Sequence, residues 1–261
     1  MPGAHAIIRD HMDIWLQLGL AAAAFAAGAI NAVAGGGTFL TFPMLVFAGV
    51  PPVQANATST VALFPGSFSA MAAYRKDIGQ LKGVIHISSF FGISLVGGLL
   101  GALLLLWTPQ EVFQWIIPWL LLFATLLFAF GKPVSAWISR RYTMTAGPLL
   151  AVQFVVSIYG GYFGGGIGIL MLASLGLFGL KDLHAMNGLK TMVVGSLNAV
   201  ATVTFVAAGA VEWLAVAVML PAAVAGGYGG AALARRVPQP VLRAFILAVA
   251  SAMTGYFFLE G

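Results

Sequence analysis

The stretch Gly28–Pro52, GAINAVAGGGTFLTFPMLVFAGVPP, sets three consecutive glycines inside a long apolar run. Glycine costs a helix about 1 kcal/mol relative to alanine, so three together predict a break. A second copy, Gly164-Gly165-Gly166, lies in GGYFGGGIGILML further along the chain. How this stretch is read decides the fold, because each triplet separates a full-length apolar run from an undersized one.

The runs around the triplets are membrane-like. Of the 261 residues, 61% are hydrophobic and only 7% charged, and the mean hydropathy is +1.00. A soluble domain needs far more charge to coat its surface. Period-two alternation, the mark of an outer-membrane barrel, is missing. The net charge of +5 comes from basic residues in short gaps between apolar runs, which points to membrane orientation and not to nucleic acid. No cysteine is present, which excludes disulfides, thiolate metal sites and cysteine nucleophiles.

Apolar runs fall at Ile14–Ala34, Thr38–Val50, Val53–Tyr74, Gly83–Trp107 and Val112–Gly131. Five more follow at Pro148–Phe163, Ile169–Leu180, Leu183–Ala208, Trp213–Ala234 and Val241–Leu259. The first is read as a mature helix and not a signal peptide, since Asp10 and Asp13 precede it and it is long enough to span. One offset of 129 residues aligns the triplets, Gly66-Ser67 with Gly195-Ser196, and Gly97, Gly98, Gly101 with Gly226, Gly227, Gly230. It also aligns Pro109-Gln110 with Pro238-Gln239. An ungapped register that keeps glycines, prolines and run boundaries together reads as an internal duplication. The expected organisation is a first repeat at 1–131, a basic connector at 132–147 and a second repeat at 148–261.

The undersized runs leave two arrangements open. A spanning helix takes about 20 residues. With each short run merged into its predecessor the chain crosses eight times as 4 + 4. With each short run crossing alone it crosses ten times as 5 + 5. Basic residues collect on the cytoplasmic side. Ten crossings put Arg75, Lys76, Lys82, Lys132, Arg140, Arg141, Lys181, Arg235 and Arg236 on one face with Arg9 opposite. Eight crossings divide the same residues seven to three. The preferred expectation is therefore an all-α polytopic membrane protein with cytoplasmic basic loops and both termini outside. Its odd number of crossings per half makes an inverted repeat.

Backbone freed from helix inside a bilayer must face protein or a wet cavity. The helices restarting at Thr38 and Ile169 are expected to aim N–H groups and positive dipole ends at a shared anion site. Gly35, Gly36, Gly37 and Thr38 would line it from one half, and Gly164, Gly165 and Gly166 from the other. Asn31, one turn earlier, is placed to cap or hold the unwound strand. The run Leu183–Ala208 sets Asn187, Lys190, Thr191 and Asn198 on one helical face. An ammonium within a membrane run is costly and usually functional. Asn56, Thr58 and Ser59 offer further donors, while the isolated pairs Gly97-Gly98 and Gly226-Gly227 read as close helix packing. No Asp or Glu falls inside an apolar run, which disfavours a carboxylate-coupled cation pump. No P-loop lysine, nucleophile elbow or His-Glu zinc motif occurs. A metal, a cofactor and an enzymatic activity are accordingly not expected.

Four segments together, NAVAGGGTFLTFP (Asn31–Pro43), NATST (Asn56–Thr60), GGGIG (Gly164–Gly168) and NGLKT (Asn187–Thr191), resemble the TauE/SafE sulfite exporter family over nearly the whole chain. The resemblance implies an inner-membrane transporter built from two related halves, moving sulfite or organosulfonates, mostly outward. Its partners would be a small anionic substrate and the lipid bilayer.

Overall fold

The computed structural model describes residues 13–33, 36–73, 87–139, 141, 145–177, 180, 183–230 and 239–260, and no strand occurs among them. Their helices are α1 (Ile14–Val33), α2 (Thr38–Phe47), α3 (Pro52–Ala73), α4 (Ile87–Trp107) and α5 (Gln110–Ser139), then α6 (Ala146–Tyr162), α7 (Ile167–Leu177), α8 (Leu183–Ala207), α9 (Trp213–Ala225) and α10 (Gln239–Glu260). Each grows from one apolar run of the sequence. In α1 the residues Leu20, Ala24, Ala27 and Ile30 form a buried stripe at helical spacing, while Trp15, Leu18 and Phe25 are exposed. On α5 the outward residues are themselves large and apolar, Trp115, Trp119, Phe123, Leu126 and Phe130. A contiguous apolar exterior of that kind suits lipid, not water. Four helices, α1, α4, α5 and α8, contain stretches long and apolar enough to cross a membrane.

Packing couples the early helices to the late ones. The most extensive helix contact is α4 on α6, and α1 on α9 is its counterpart. Helix α3 meets α8 and α5 meets α10, while α4 on α8 and α3 on α9 form another matching pair. Within the chain's two stretches, α1–α2 matches α6–α7 and α2–α3 matches α7–α8. Glycines make the two tightest seams possible. A Cβ on Gly101 would sit on the carbonyl of Ile158, and one on Gly97 would stand 2.9 Å from the Phe154 oxygen. In the α1–α9 seam a Cβ on Gly28 would sit on the Ala223 carbonyl, and one on Gly226 on that of Phe25. Both glycine pairs thus serve backbone-close packing, as their spacing suggested. At Gly226–Gly230 the helix continues from α9 as a π turn, where four glycines offer little resistance to widening.

One end of the bundle gathers alternate helix ends. The Val53 N–H donates to Gln110 Oε1 at 3.0 Å, joining the starts of α3 and α5. The Glu212 N–H donates to Thr58 Oγ1 at 2.9 Å, joining the start of α9 to α3. Phe47 at the end of α2 packs on Tyr256 near the end of α10, with ring centroids 4.7 Å apart. Thr108 after α4 meets Tyr162 at the end of α6 through their hydroxyls, 3.3 Å apart.

Two boundaries differ from those expected. Helix α5 runs on to Ser139, through Lys132 and Pro133, so much of the expected connector 132–147 is helix. Hydropathy marks where apolar surface ends, whereas helix propensity continues through Val134, Ala136, Trp137 and Ile138. Arg141, just beyond, lays its guanidinium 4.5 Å from the Trp137 ring centroid. Helix α7 begins at Ile167, two residues before the expected Ile169, and takes Gly168 into its first turn. Of the cations used in the orientation argument, Arg9, Arg75, Lys76, Lys82, Arg140, Lys181, Arg235 and Arg236 lie outside the described residues.

Candidate anion site

The two glycine turns come to neighbouring positions on α5. A Cβ on Gly36 would lie 3.8 Å from the Phe128 ring, and one on Gly166 would lie 3.8 Å from the Ala124 Cβ. Ala124 and Phe128 are one helical turn apart on a single face. Between them Thr125 Oγ1 lies 3.3 Å from Thr254 Oγ1, on α10.

The first turn has two of its donors taken by a side chain, while the Thr38 N–H has no acceptor among the described residues. Asn31 Oδ1 accepts the N–H groups of Gly36 at 2.9 Å and Gly37 at 2.8 Å. Asn31 therefore holds the strand, and it does so by occupying two of the N–H groups that the sequence offered to an anion. The N–H groups of Phe39, Leu40 and Thr41 go to the carbonyls of Gly36 and Gly37. Thr41 Oγ1 donates to the Gly37 oxygen at 3.2 Å and contacts Ser59 Oγ at 2.6 Å. With the Thr41 proton on Gly37, Ser59 is the donor of that second bond. Gly37 has no room for a side chain, because a Cβ would stand 2.7 Å from the Ala27 oxygen and 2.8 Å from Asn31 Nδ2. Gly35 lies outside the described residues.

The second turn is built differently. Gly164 and Gly166 take φ of +79° and +75°, left-handed values open chiefly to glycine. Gly37, by contrast, is right-handed at φ −60°. Tyr159 on α6 donates its hydroxyl to the Gly165 oxygen at 2.6 Å. The carbonyls of Gly164 and Gly166 receive the N–H groups of Ile167, Ile169 and Leu170. Among the described residues, no acceptor takes the N–H groups of Gly165, Gly166 or Gly168. They stand at the start of α7, where the helix dipole is positive.

Lys190 reaches this turn from α8. Its stem crosses Gly168, so that a Cβ there would lie 3.4 Å from Lys190 Cδ and 4.0 Å from Cε. The side chain is half-buried. Thr191 and Asn198, further along α8, are half-buried as well, and the Asn187 side chain lies outside the described residues. From the other half Asn56, buried, donates from Nδ2 to the Tyr162 oxygen at 2.9 Å, just before the turn. Its Oδ1 has no partner among the described residues. Thr58 serves the start of α9 and Ser59 the first turn.

Thr41, Tyr159 and Tyr162 were not singled out from sequence. The 129-residue offset contained a signal for two of the differences. It pairs Ile30-Asn31 with Tyr159-Gly160, and Thr41 with Leu170. Polar side chains that serve one turn are thus replaced or displaced at the other.

Comparisons with known proteins agree on one family. The profile described as "Sulfite exporter TauE/SafE" matches residues 20–257. A Sinorhizobium protein named probable membrane transporter protein ORF9 is 34% identical over 200 residues, covering 73% of this chain and 72% of that one. A probable membrane transporter protein of Haemophilus influenzae is 29% identical over 248 residues, covering 93% and 95%. The probable membrane transporter protein YfcA of Escherichia coli K12 is 31% identical over 235 residues, covering 88% and 85%. No solved structure matches.

Proposed function

The chain belongs to the TauE/SafE sulfite exporter family, and from that premise we propose that it is a secondary transporter exporting small sulfur-containing anions across an inner membrane. The substrates would be sulfite, organosulfonates or close relatives. The apolar exterior and the names carried by its relatives support the membrane and transport parts of this reading. One observation carries the anion. Among the described residues, the N–H groups of Gly165, Gly166 and Gly168 stand without an acceptor at a helix start, where Gly168 lies beside the Lys190 stem. Open N–H groups and an ammonium together attract an oxyanion. The site is thus read as narrower than the sequence suggested. The second turn, Lys190 and the polar face of α8 bind, whereas Asn31, Thr41, Thr58 and Ser59 hold the framework.

Ten crossings and two inverted halves complete the proposal. Helices α2 and α7 begin 129 residues apart, as do α5 and α10, and α1 and α6 end at that same interval. The matched helix pairs are those expected when a twofold rotation exchanges residues 1–131 with 148–261. Alternation of helix ends at one side of the bundle supports five passes per half, with the basic loops opposite the termini. Rocking of one half against the other would then open the site alternately to each side. In a cell that is negative inside, expelling one negative charge gains about 2.3 kcal/mol per 100 mV, so export runs without a carboxylate coupling site.

The test is flux from reconstituted vesicles loaded with sulfite, sulfoacetate, thiosulfate, taurine or a carboxylate. Saturable efflux of a sulfur oxyanion is expected. Lys190→Ala should reduce it by at least tenfold while the thermal midpoint stays within a few degrees, as expected for loss of a charge-assisted bond worth about 1.5–3 kcal/mol. Unchanged efflux by that variant would remove Lys190 from the site, and non-saturating flux would make the protein a channel.

A further inference from the structure

We infer that Tyr159 is a positioning residue that keeps the α7 turn in its anion-accepting orientation, an inference that rests on the reading just given. The reasoning starts from the Gly165–Gly166 peptide. A trans peptide points its C=O and N–H in opposite directions. Glycine on both sides makes rotation of that plane inexpensive, since neither flanking residue has a Cβ to oppose it. Left to itself the peptide is free to turn its oxygen to the side where its N–H now points, where a carbonyl dipole would repel an anion.

The Tyr159 hydroxyl removes that freedom by donating to the Gly165 oxygen at 2.6 Å. The Gly166 N–H is thereby directed away from Tyr159. The ring that carries the hydroxyl is itself braced. Phe123 on α5 meets it edge-on at 5.5 Å and Phe163 at 6.3 Å between centroids. Gly165 is also held to one side by the Phe163 ring, which a Cβ there would approach to 2.7 Å.

The first turn provides the contrast. There the polar side chain one position further on, Asn31, grips the N–H groups and fills the place of an acceptor with its own oxygen. The Tyr159 position is Ile30 in that half, and the Asn31 position is Gly160 in the other. One turn is clamped by its N–H groups and the other by its carbonyl, so among the described residues the Gly165 and Gly166 donors are left to a ligand where those of Gly36 and Gly37 are taken. The observed bond geometry, not the glycines alone, separates the two copies.

The deciding experiment compares wild type with Tyr159→Phe in the vesicle assay, using sulfite and sulfoacetate as probes. The ring and its bracing survive this change and only the hydroxyl is lost. The half-saturating concentration should rise about tenfold, the equivalent of one hydrogen bond of about 1.4 kcal/mol. The maximal rate should stay within about twofold, and the thermal midpoint without anion should fall by no more than the few degrees expected for one lost buried hydrogen bond. Stabilisation of the protein by added sulfite should shrink in parallel. An unaltered half-saturating concentration overturns the inference, and so does a fall in maximal rate and thermal midpoint without a change in half-saturation. If wild type neither transports nor is stabilised by any anion tested, the anion reading itself fails and this inference with it.

Discussion

Asn31 and Gly160 are paired by the 129-residue offset, and Asn31 takes two N–H groups of its turn with a side-chain oxygen that Gly160 lacks. Asn31 supplies a carbonyl oxygen to two N–H groups at once, and each buried donor left without an acceptor costs about 1–3 kcal/mol. Asn31→Ala should therefore lower the thermal midpoint in detergent by several degrees. Asn31→Asp keeps an acceptor oxygen in place and should lose much less. Equal losses by both variants would mean that the amide nitrogen, and not the oxygen, holds the turn. At this scale the sequence was only partly legible. The triplets and Lys190 stood out because helix breakers and charges are anomalies in a membrane run. Tyr159 and Thr41 did not, because a tyrosine or threonine in such a run is ordinary and its role depends on one bond to a backbone oxygen.

At the scale of elements, glycines on one helix divide by what they face. On α4, Gly101 has the Ile158 carbonyl where its Cβ would be, while Gly92 has nothing within 4 Å. Gly101→Ala should push α4 off α6 and markedly reduce the folded yield. Gly92→Ala should be neutral or slightly stabilising, by up to about 1 kcal/mol from helix propensity. Detergent melting curves of the two variants, side by side, check this, and similar curves would mean that the seam tolerates widening. The same seam carries Gln153, which donates to Ser94 and Ser157, where the α1–α9 seam has Ala24, Ala223 and Gly28. Helix identities were readable from apolar runs, since lipid selects for them. Helix ends were less so, as α5 demonstrates by continuing through Pro133 after the apolar run has stopped.

At the scale of the whole molecule the reading concerns direction. A chain without native cysteine permits single-cysteine labelling without background. A cysteine at Gln54, where α3 starts, should react with a membrane-impermeant reagent added outside cells. One at Ser135, on the far extension of α5, should react only after the inner face is opened. Reaction of the Gln54 position from inside alone would restore the eight-crossing arrangement. The proposed 5 + 5 pattern rests on charge asymmetry and an ungapped offset, which act over the entire length. The interlocking of early with late helices was not anticipated, because nothing in either stretch names its partner across the chain.

The contact between Thr125 and Thr254 adds something of a different kind. These are the same position of the two halves, touching each other. Each hydroxyl also donates to its own helix, Thr125 to the Leu121 oxygen and Thr254 to the Ala250 oxygen, both at 2.7 Å. If either threonine grew larger the other would have to shrink, so the two are bound to a joint volume. Asn31 and Gly160 never touch and carry no such tie. Under the proposed inverted repeat, the halves are free to become different at their turns while remaining alike along the line where they meet, so that one working face would come from symmetry lapsing away from the centre.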